Sequence, residues 1–199
     1  MESHSKSNDT RTPYHVLEGH LRECYGRVVY SHKTHEKCAD MLLAKWSLIK
    51  FCQLGLSAIT AAGFISIVFG SNTLGALIGA LCSTALLTLN AYTKNYDLGE
   101  LAQKHKHTAN TLWLIREKYL ALIADIAMGQ KPLEKLLEER DTLTKQLATA
   151  YAGAPATNSE AYKKAQEALK FHEDLTFSDA EIDAFLPQEL RRTPTKTLT

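Results

Sequence analysis

The sequence lacks formal charge over one continuous stretch, from Phe51 to Thr93. These 43 residues contain no Asp, Glu, Lys, Arg or His, although 23% of the whole chain is charged. A helix without a polar stripe cannot face water, and a chain of 199 residues offers too little protein to surround so long a stretch. The missing charge therefore predicts a segment that lies in a lipid bilayer.

One turn signal interrupts this stretch, the Gly-Ser-Asn-Thr of FGSNTLG (69–75). It leaves two apolar runs, 51–70 and 74–93, of 20 residues each. At about 1.5 Å per residue each run forms a helix of roughly 30 Å, which matches the hydrocarbon core of a bilayer. We therefore predict an all-α membrane protein built on a hairpin of two transmembrane helices. The alternative, a hairpin in a soluble core, is disfavoured.

Further absences concern targeting and catalysis. The N-terminal MESHSKSNDTRT has no apolar core, so it is not a signal peptide, and the four cysteines form no CxxC pair. Both features predict a cytosolic start with reduced thiols. The sequence contains no GxSxG, HExxH, P-loop or GxGxxG signature, so we predict neither an enzyme nor a cofactor. The net charge of +1 and the mixing of acids with bases predict no direct nucleic-acid binding.

The flanks of the two runs predict their orientation. Lys45 and Lys50 precede the first run and Lys94 follows the second, whereas the connecting turn is uncharged. The positive-inside rule then leaves both termini in the cytoplasm. Aromatic and basic side chains at this edge suit the membrane interface. The predicted interface residues are Trp46, Lys50, Tyr92 and Lys94.

A few polar side chains lie inside the predicted spans. Folding the hairpin about its turn brings Gln53 level with Asn90, and Thr60 level with Ser83. These groups either bond the helices together or line a polar path in an oligomer, and the sequence leaves both open. Because no charged residue lies in the spans, a proton relay or ion-coupled transporter is disfavoured.

Two glycines form a GxxxG motif in the second span, Gly75 and Gly79. Small residues at this spacing let two helix backbones approach closely. The contact lies either between copies of the chain, which favours a homo-oligomer, or inside one hairpin. The sequence does not decide between these two interpretations.

Outside the spans, two heptad seams predict long packed helices. The first runs Leu17, Leu21, Cys24, Val28, Ser31, His35, Cys38, Leu42, and the second runs Leu101, His105, Thr108, Leu112, Ile115, Tyr119, Leu122, Ile126. We expect each seam to continue its adjoining span as one uninterrupted helix, and the two to pack as a cytoplasmic antiparallel stalk.

The predicted segments follow from these patterns. The chain divides into a disordered start (1–14), a helical arm (15–50), the two spans, a stalk helix (94–128), C-terminal helices (131–171) and a tail (172–199). A Gly-Gln-Lys-Pro stop at 129–132 ends the stalk helix, and a capping box at Ser178 begins a short helix in the tail.

The arm carries the most chemically suggestive side chains. His32, His35 and Cys38 are zinc-capable and share a drifting helical face, but no second cluster completes a site, so no metal is predicted. They fit the seam and surface of the stalk better. His35 lies in the seam itself, which makes stalk packing sensitive to pH.

The arrangement of YGRVVYSHKTHEKCADMLL (25–43), two tightly connected spans and YTKNYDLGELAQKHKHTANTLWLIREKY (92–119) resembles the SLATT family. These are small two-transmembrane effector domains of bacterial conflict systems. The resemblance implies an antiphage role in which the inner membrane is damaged once a partner detects infection. It implies a partner acting in trans, either a nucleotide-signal generator with its sensor or a reverse transcriptase. It brings no catalytic residues, and it marks the arm with Arg27, His32, His35 and Glu36 as a candidate regulatory element.

Two functions are compatible with these observations. The first is an effector that oligomerises in the bilayer into a pore, or otherwise disrupts the membrane, and causes cell death or growth arrest. The second is a non-conducting anchor or scaffold for a cytoplasmic partner enzyme. The intramembrane polar residues distinguish the two, because a scaffold has no use for a polar lumen.

Overall fold

The computed structural model describes residues 12–70, 73–172 and 174–187. Across these ranges the chain is helical and contains no strand. The helices are α1 (Pro13–Phe69), α2 (Thr73–Asn95), α3 (Leu98–Met128), α4 (Leu133–Ala152), α5 (Ser159–Phe171) and α6 (Asp179–Phe185). The predicted all-α class is confirmed. The turn residues Ser71 and Asn72, the chain before Thr12 and the tail after Pro187 lie outside the described residues, as does most of the predicted disordered start.

Helix α1 joins the arm to the first span without a break. It has 57 residues, which at 1.5 Å each gives a rod of about 85 Å. Thr12 caps its start by accepting a hydrogen bond from the His15 backbone N–H, and Pro13 occupies the first turn, where its missing N–H is not needed. A movement of the arm is therefore transmitted to the first span through continuous helix.

The second span does not continue into the stalk as expected. Helix α2 ends at Asn95, and α3 begins at Leu98. The Asp97 side chain accepts a 2.8 Å hydrogen bond from the Glu100 N–H and so caps α3. The predicted uninterrupted helix is wrong here, because a carboxylate at an N-cap satisfies backbone donors that a continuous helix would have paired internally.

The two heptad seams meet along α1 and α3. Their buried side chains form one apolar cluster to which α4 adds two leucines, and α5 lies against α1 with a face of three buried alanines. The cluster comprises Leu17, Leu21, Cys24, Val28, Leu112, Ile115, Tyr119, Leu122, Leu136 and Leu143. We call the arm of α1 (residues 13–42) with α3, α4 and α5 the bundle.

A tight turn at Gly129 ends α3 and leads the chain into α4. Gly129 adopts a left-handed backbone with φ of 66°, and its N–H bonds to the carbonyls of Asp125 and Ile126. Glycine enters this conformation without the steric cost that a side chain adds. The chain then turns so that α4 packs back along α3.

Residues 51–69 of α1 and the facing α2, which we call the hairpin, pack on each other and have no other protein around them in the part of the chain that the structure describes. In the most apolar 18-residue window of α1, 0% of the residues are buried inside the fold. Phe51, Leu54, Phe64 and Val68 are each more than three-fifths exposed. A soluble domain would bury such helices, whereas a bilayer covers them with lipid. The protein is a membrane protein with two transmembrane helices.

Candidate functional site

Glycines hold the two helices of the hairpin together at close range. A Cβ on Gly63 would lie 3.0 Å from the Gly75 carbonyl oxygen and 3.1 Å from the Gly79 Cα. Gly79 is buried, and a Cβ there would lie 3.6 Å from the Gly63 Cα. The GxxxG row thus faces Gly63 within one hairpin. Sequence reasoning missed Gly63, although its place in α1, level with Gly79, was a usable signal.

One of the two expected polar pairs forms. The Gln53 Nε2 donates a 2.9 Å hydrogen bond to the Asn90 Oδ1 and lies 3.4 Å from the Thr93 hydroxyl. The other pair does not form. The Thr60 hydroxyl donates instead to the Leu56 carbonyl of its own helix, and Ser83 is exposed on α2.

The predicted interface residues gather at the end of the hairpin that adjoins the bundle. The Lys50 ammonium lies 5.6 Å from the centre of the Trp46 ring, within the range of a cation–π contact. The Tyr92 ring packs against that of Tyr96, with centroids 5.2 Å apart. Lys94 occupies the last turn of α2, where a cation stabilises the helix terminus.

A pair of histidines connects α1 to α3 deep in the bundle. His35 Nδ1 lies 2.9 Å from His105 Nδ1, and both rings are buried. The bond requires one ring to donate from Nδ1–H and the other to present a bare Nδ1, so at least one ring is neutral. Burial and the neighbouring His105 and His32 rings lower the pKa of His35 from 6.5 to about 4. Burial also lowers the pKa of His105.

A charged cluster lies beside His35 along α1. Lys33 is buried, and its ammonium lies 3.1 Å from a Glu36 oxygen and 2.9 Å from an Asp174 oxygen. Burial by itself would lower the pKa of Lys33, but the bonds to the two carboxylates outweigh it and raise the pKa. Asp174 follows α5, so this ion pair fastens the chain beyond α5 to α1.

His32 is the least satisfied polar group of the cluster. It is buried, and its Nδ1 is the one buried side-chain nitrogen or oxygen without a hydrogen-bond partner in the described part of the chain. Its Nε2 lies 3.8 Å from a Glu36 oxygen. Burial lowers the pKa of His32, which keeps the ring neutral. The buried histidine rings are therefore stabilised in their neutral form, beside a Lys33 whose charge is paired with two carboxylates.

A cleft of about 810 Å³ opens beside the histidine pair, between α1 and the connector from α4 to α5. We call it the tyrosine cleft, because Tyr30, Tyr151 and Tyr162 form its walls. His35 and Arg27 also line it. Of the four predicted arm residues, Arg27 and His35 therefore reach this cleft, whereas His32 and Glu36 belong to the charged cluster beside it.

The comparison with protein families covers both parts of the molecule. The profile of "SMODS and SLOG-associating 2TM effector domain family 4" matches residues 17–181, well over half of the chain. The chain belongs to the SLATT family. The match includes the hairpin and all but the first turn of the bundle of this SLATT protein, and it ends inside α6. Neither the comparison with curated proteins nor that with solved structures returned a match.

The site residues that the sequence did not reveal are far along the chain from the α1 residues that they contact. His105 was placed in a seam but not paired with His35, which is 70 residues away. Tyr151 and Tyr162 come from α4 and α5, and no local pattern marks them as neighbours of Tyr30. Tyr151 and Tyr162 are separated by a break in the helix at 153–158, which lets α5 fold back onto α1.

Proposed function

We propose that this SLATT protein is a membrane effector of an antiphage defence system that permeabilises the bacterial inner membrane when triggered. Lysines at 45, 50 and 94 support an orientation with the bundle and both termini in the cytoplasm. The trigger then arrives in the cytoplasm, from a nucleotide-signal generator with its sensor or from a reverse transcriptase. No step of this function needs a catalytic residue.

The observation that carries the proposal is an exposed polar face on α2. Ser83 and Asn90 are seven residues apart, so they share one face of the helix, and both are exposed. In a monomer the Ser83 hydroxyl and the Asn90 amide, whose Oδ1 accepts from Gln53 but which stays exposed, would be open to lipid, which offers no further hydrogen-bond partners. A second copy or a water-filled lumen would cover them. This favours a homo-oligomer whose α2 helices turn this face inward.

Helix α1 supplies a mechanical path from trigger to membrane. Because the arm and the first span are one continuous helix, a change in how the arm packs on α3 must tilt or rotate that span. The break at Tyr96–Asp97 lets α3 stay in the bundle while α2 moves with the hairpin. We therefore propose a shift between a closed and an open packing of the bundle.

The experiment compares membrane potential with cell death. Bacteria that carry the chain with its neighbouring genes are challenged with phage, and a potential-sensitive dye and propidium entry are followed over time. We expect depolarisation before loss of viability. Death with intact potential and dye exclusion would show that the protein does not act as a pore.

Replacing the amide pair separates a pore from a scaffold. Gln53→Leu alone leaves Asn90 without its donor and should weaken the hairpin by roughly 0.6–2 kcal/mol. The double variant with Asn90→Leu removes both polar groups, so hairpin stability should recover. Under the proposed function the double variant still inserts but loses dye entry by about tenfold, because its lumen has lost polar lining.

A conservative change elsewhere on α2 serves as the control. Thr84 is exposed, and its hydroxyl is bonded to the Ala80 carbonyl of its own helix, so Thr84→Val should leave dye entry unchanged. If the double variant still kills cells as the unmodified protein does, the scaffold function is favoured instead. The Gln53–Asn90 bond within one hairpin is the observation on which that second candidate rests.

A further inference from the structure

The tyrosine cleft has walls suited to a flat ring. The rings of Tyr30 and Tyr162 stack with centroids 6.0 Å apart and an interplanar angle of 30°. The Tyr151 hydroxyl donates a 2.8 Å hydrogen bond to the Ser31 Oγ, which holds that third ring in place. Aromatic faces favour offset stacking with another planar π-system. The cleft volume of about 810 Å³ lies within the range of small-molecule sites.

The connector from α4 to α5 brings non-helical backbone to the cleft. The connector residues Ala156 and Thr157 line the cleft and lie outside any helix, so no helical hydrogen bond uses their backbone N–H and C=O groups. Paired donors and acceptors of this kind suit the edge of a heteroaromatic ring. On α1, a Cβ on the lining residue Gly26 would meet no atom within 4 Å, so this part of the cleft is open space.

The rim carries one cation that a ligand can recruit. Arg27 lines the cleft with its side chain 62% exposed, 3.4 Å from Glu23 and 3.3 Å from the Cys24 sulfur. Exposed ion pairs of this type contribute little to stability. An acidic ligand group can therefore replace Glu23 at the guanidinium, whose fork matches phosphate and carboxylate.

We propose that the tyrosine cleft binds a planar heteroaromatic molecule that carries an acidic group, with the ring stacked on an open tyrosine face and the acid on Arg27. The occupied cleft would fasten α1 to the α4–α5 connector, and it would contact His35, whose ring bonds to α3. Binding does not depend on what the hairpin does. That the ligand acts as the trigger rests on the proposed function.

Four compounds test the two halves of the ligand, the ring and the acid. Isothermal titration on the full chain in nanodiscs compares adenosine monophosphate, adenosine and ribose 5-phosphate, with orotate as a planar ring that carries a carboxylate. We expect saturable binding of adenosine monophosphate or orotate at a Kd of about 1 mM or below, and the tighter of the two identifies the acid. Adenosine should bind at least several-fold more weakly than its monophosphate, and ribose 5-phosphate more weakly still.

Two glycines on α1 provide a matched pair of variants. Gly26→Leu fills the cleft and should weaken binding by about tenfold or more, whereas Gly19→Leu, also with no atom near its Cβ but away from the cleft, should change it less than about twofold. Both changes favour the helix, so unfolding should not explain a loss. Arg27→Gln should abolish the preference for the monophosphate over adenosine.

The proposal is overturned by several results. These are no saturable binding of either ringed acid, equal binding by ribose 5-phosphate, or an unchanged Kd in Gly26→Leu. If Arg27→Gln keeps the preference for the monophosphate over adenosine, Arg27 does not bind an acidic group and that part of the proposal is wrong. Because titration measures binding without conductance, these failures are distinct from a failure of the phage-challenge experiment.

Discussion

Gly63→Leu should disable this protein by forcing its two transmembrane helices apart. A Cβ at this position already meets two backbone atoms of α2, at 3.0 Å and 3.1 Å, and backbone cannot rotate away as a side chain can. Overpacking in a tight contact costs about 1–3 kcal/mol for a few methylenes, and a leucine here adds more than that. We expect loss of the compact hairpin and of phage-triggered depolarisation.

The same helix offers the control. Gly55 lies in the same span, and a Cβ there would meet no atom within 4 Å, so Gly55→Leu should insert and act normally. The compactness of both variants is measured by cross-linking between cysteines placed on α1 and α2 in native membranes. Equal cross-linking and activity in the two variants would contradict the packing described here.

Gly79 tests which contact the GxxxG motif serves. A Cβ on Gly79 would lie 3.6 Å from the Gly63 Cα, which is an ordinary van der Waals distance, so Gly79→Ala should be tolerated within the hairpin. A severe loss of oligomer in Gly79→Ala, with Gly63→Ala harmless, would assign the motif to contacts between copies of the chain.

Acidification should loosen the bundle between pH 6.5 and about 4. The folded pKa of His35 is about 4, below its ordinary 6.5, so the unfolded chain binds the proton first. Stability is therefore complete above pH 6.5 and is lost as the pH falls toward 4. At 1.36 kcal/mol per unit the loss from this ring is roughly 3 kcal/mol, and the lowered pKa values of His105 and His32 act in the same direction.

The other charged groups around the pair do not reverse this trend. At His32, whose pKa is lowered mainly by burial, the cations Arg116, Lys33 and Lys106 also oppose a proton, whereas Glu36 favours one. Asp174 has a pKa below its ordinary 3.8, because the bond to Lys33 stabilises its charge, so its own loss of stability comes at lower pH.

The measurement is the thermal unfolding midpoint, followed by circular dichroism in nanodiscs from pH 7.5 to 4. The double variant His35→Leu/His105→Leu removes both partners of the bond and should lose at least half of the pH dependence without losing stability at pH 7.5. His107→Gln, an exposed histidine on α3, should behave as the unmodified chain. A midpoint that does not fall with pH would refute the role given to the buried pair.

The fold was largely predictable because its strongest signals are local. A stretch without charge from Phe51 to Thr93 can be read residue by residue, and the heptads show which faces of α1 and α3 are buried. The predicted continuous helix was wrong at Tyr96–Asp97, because the heptad seam was given more weight than a helix-capping signal. Asp97 with Glu100 three residues on is a helix start that the sequence does display.

The sites were less predictable because they depend on pairs. Gln53 and Asn90 were matched by depth in a hairpin, a constraint that a single tight turn imposes. The partner of Thr60 was not found in this way, because depth does not specify which face of α2 points inward. The tyrosine cleft brings together α1, α4 and α5, whose relative placement no period in the sequence encodes.

The sequence by itself determined that this chain is helical and crosses a bilayer twice. Transfer into lipid depends on the composition of each segment, since the contributions of its residues add without reference to the rest of the chain. Only the tertiary structure decided that Gly63 meets Gly79, that His35 bonds to His105, and that three tyrosines enclose a cleft. Those contacts depend on the rotation and register of one helix against another, which is set by the packing of all of them together.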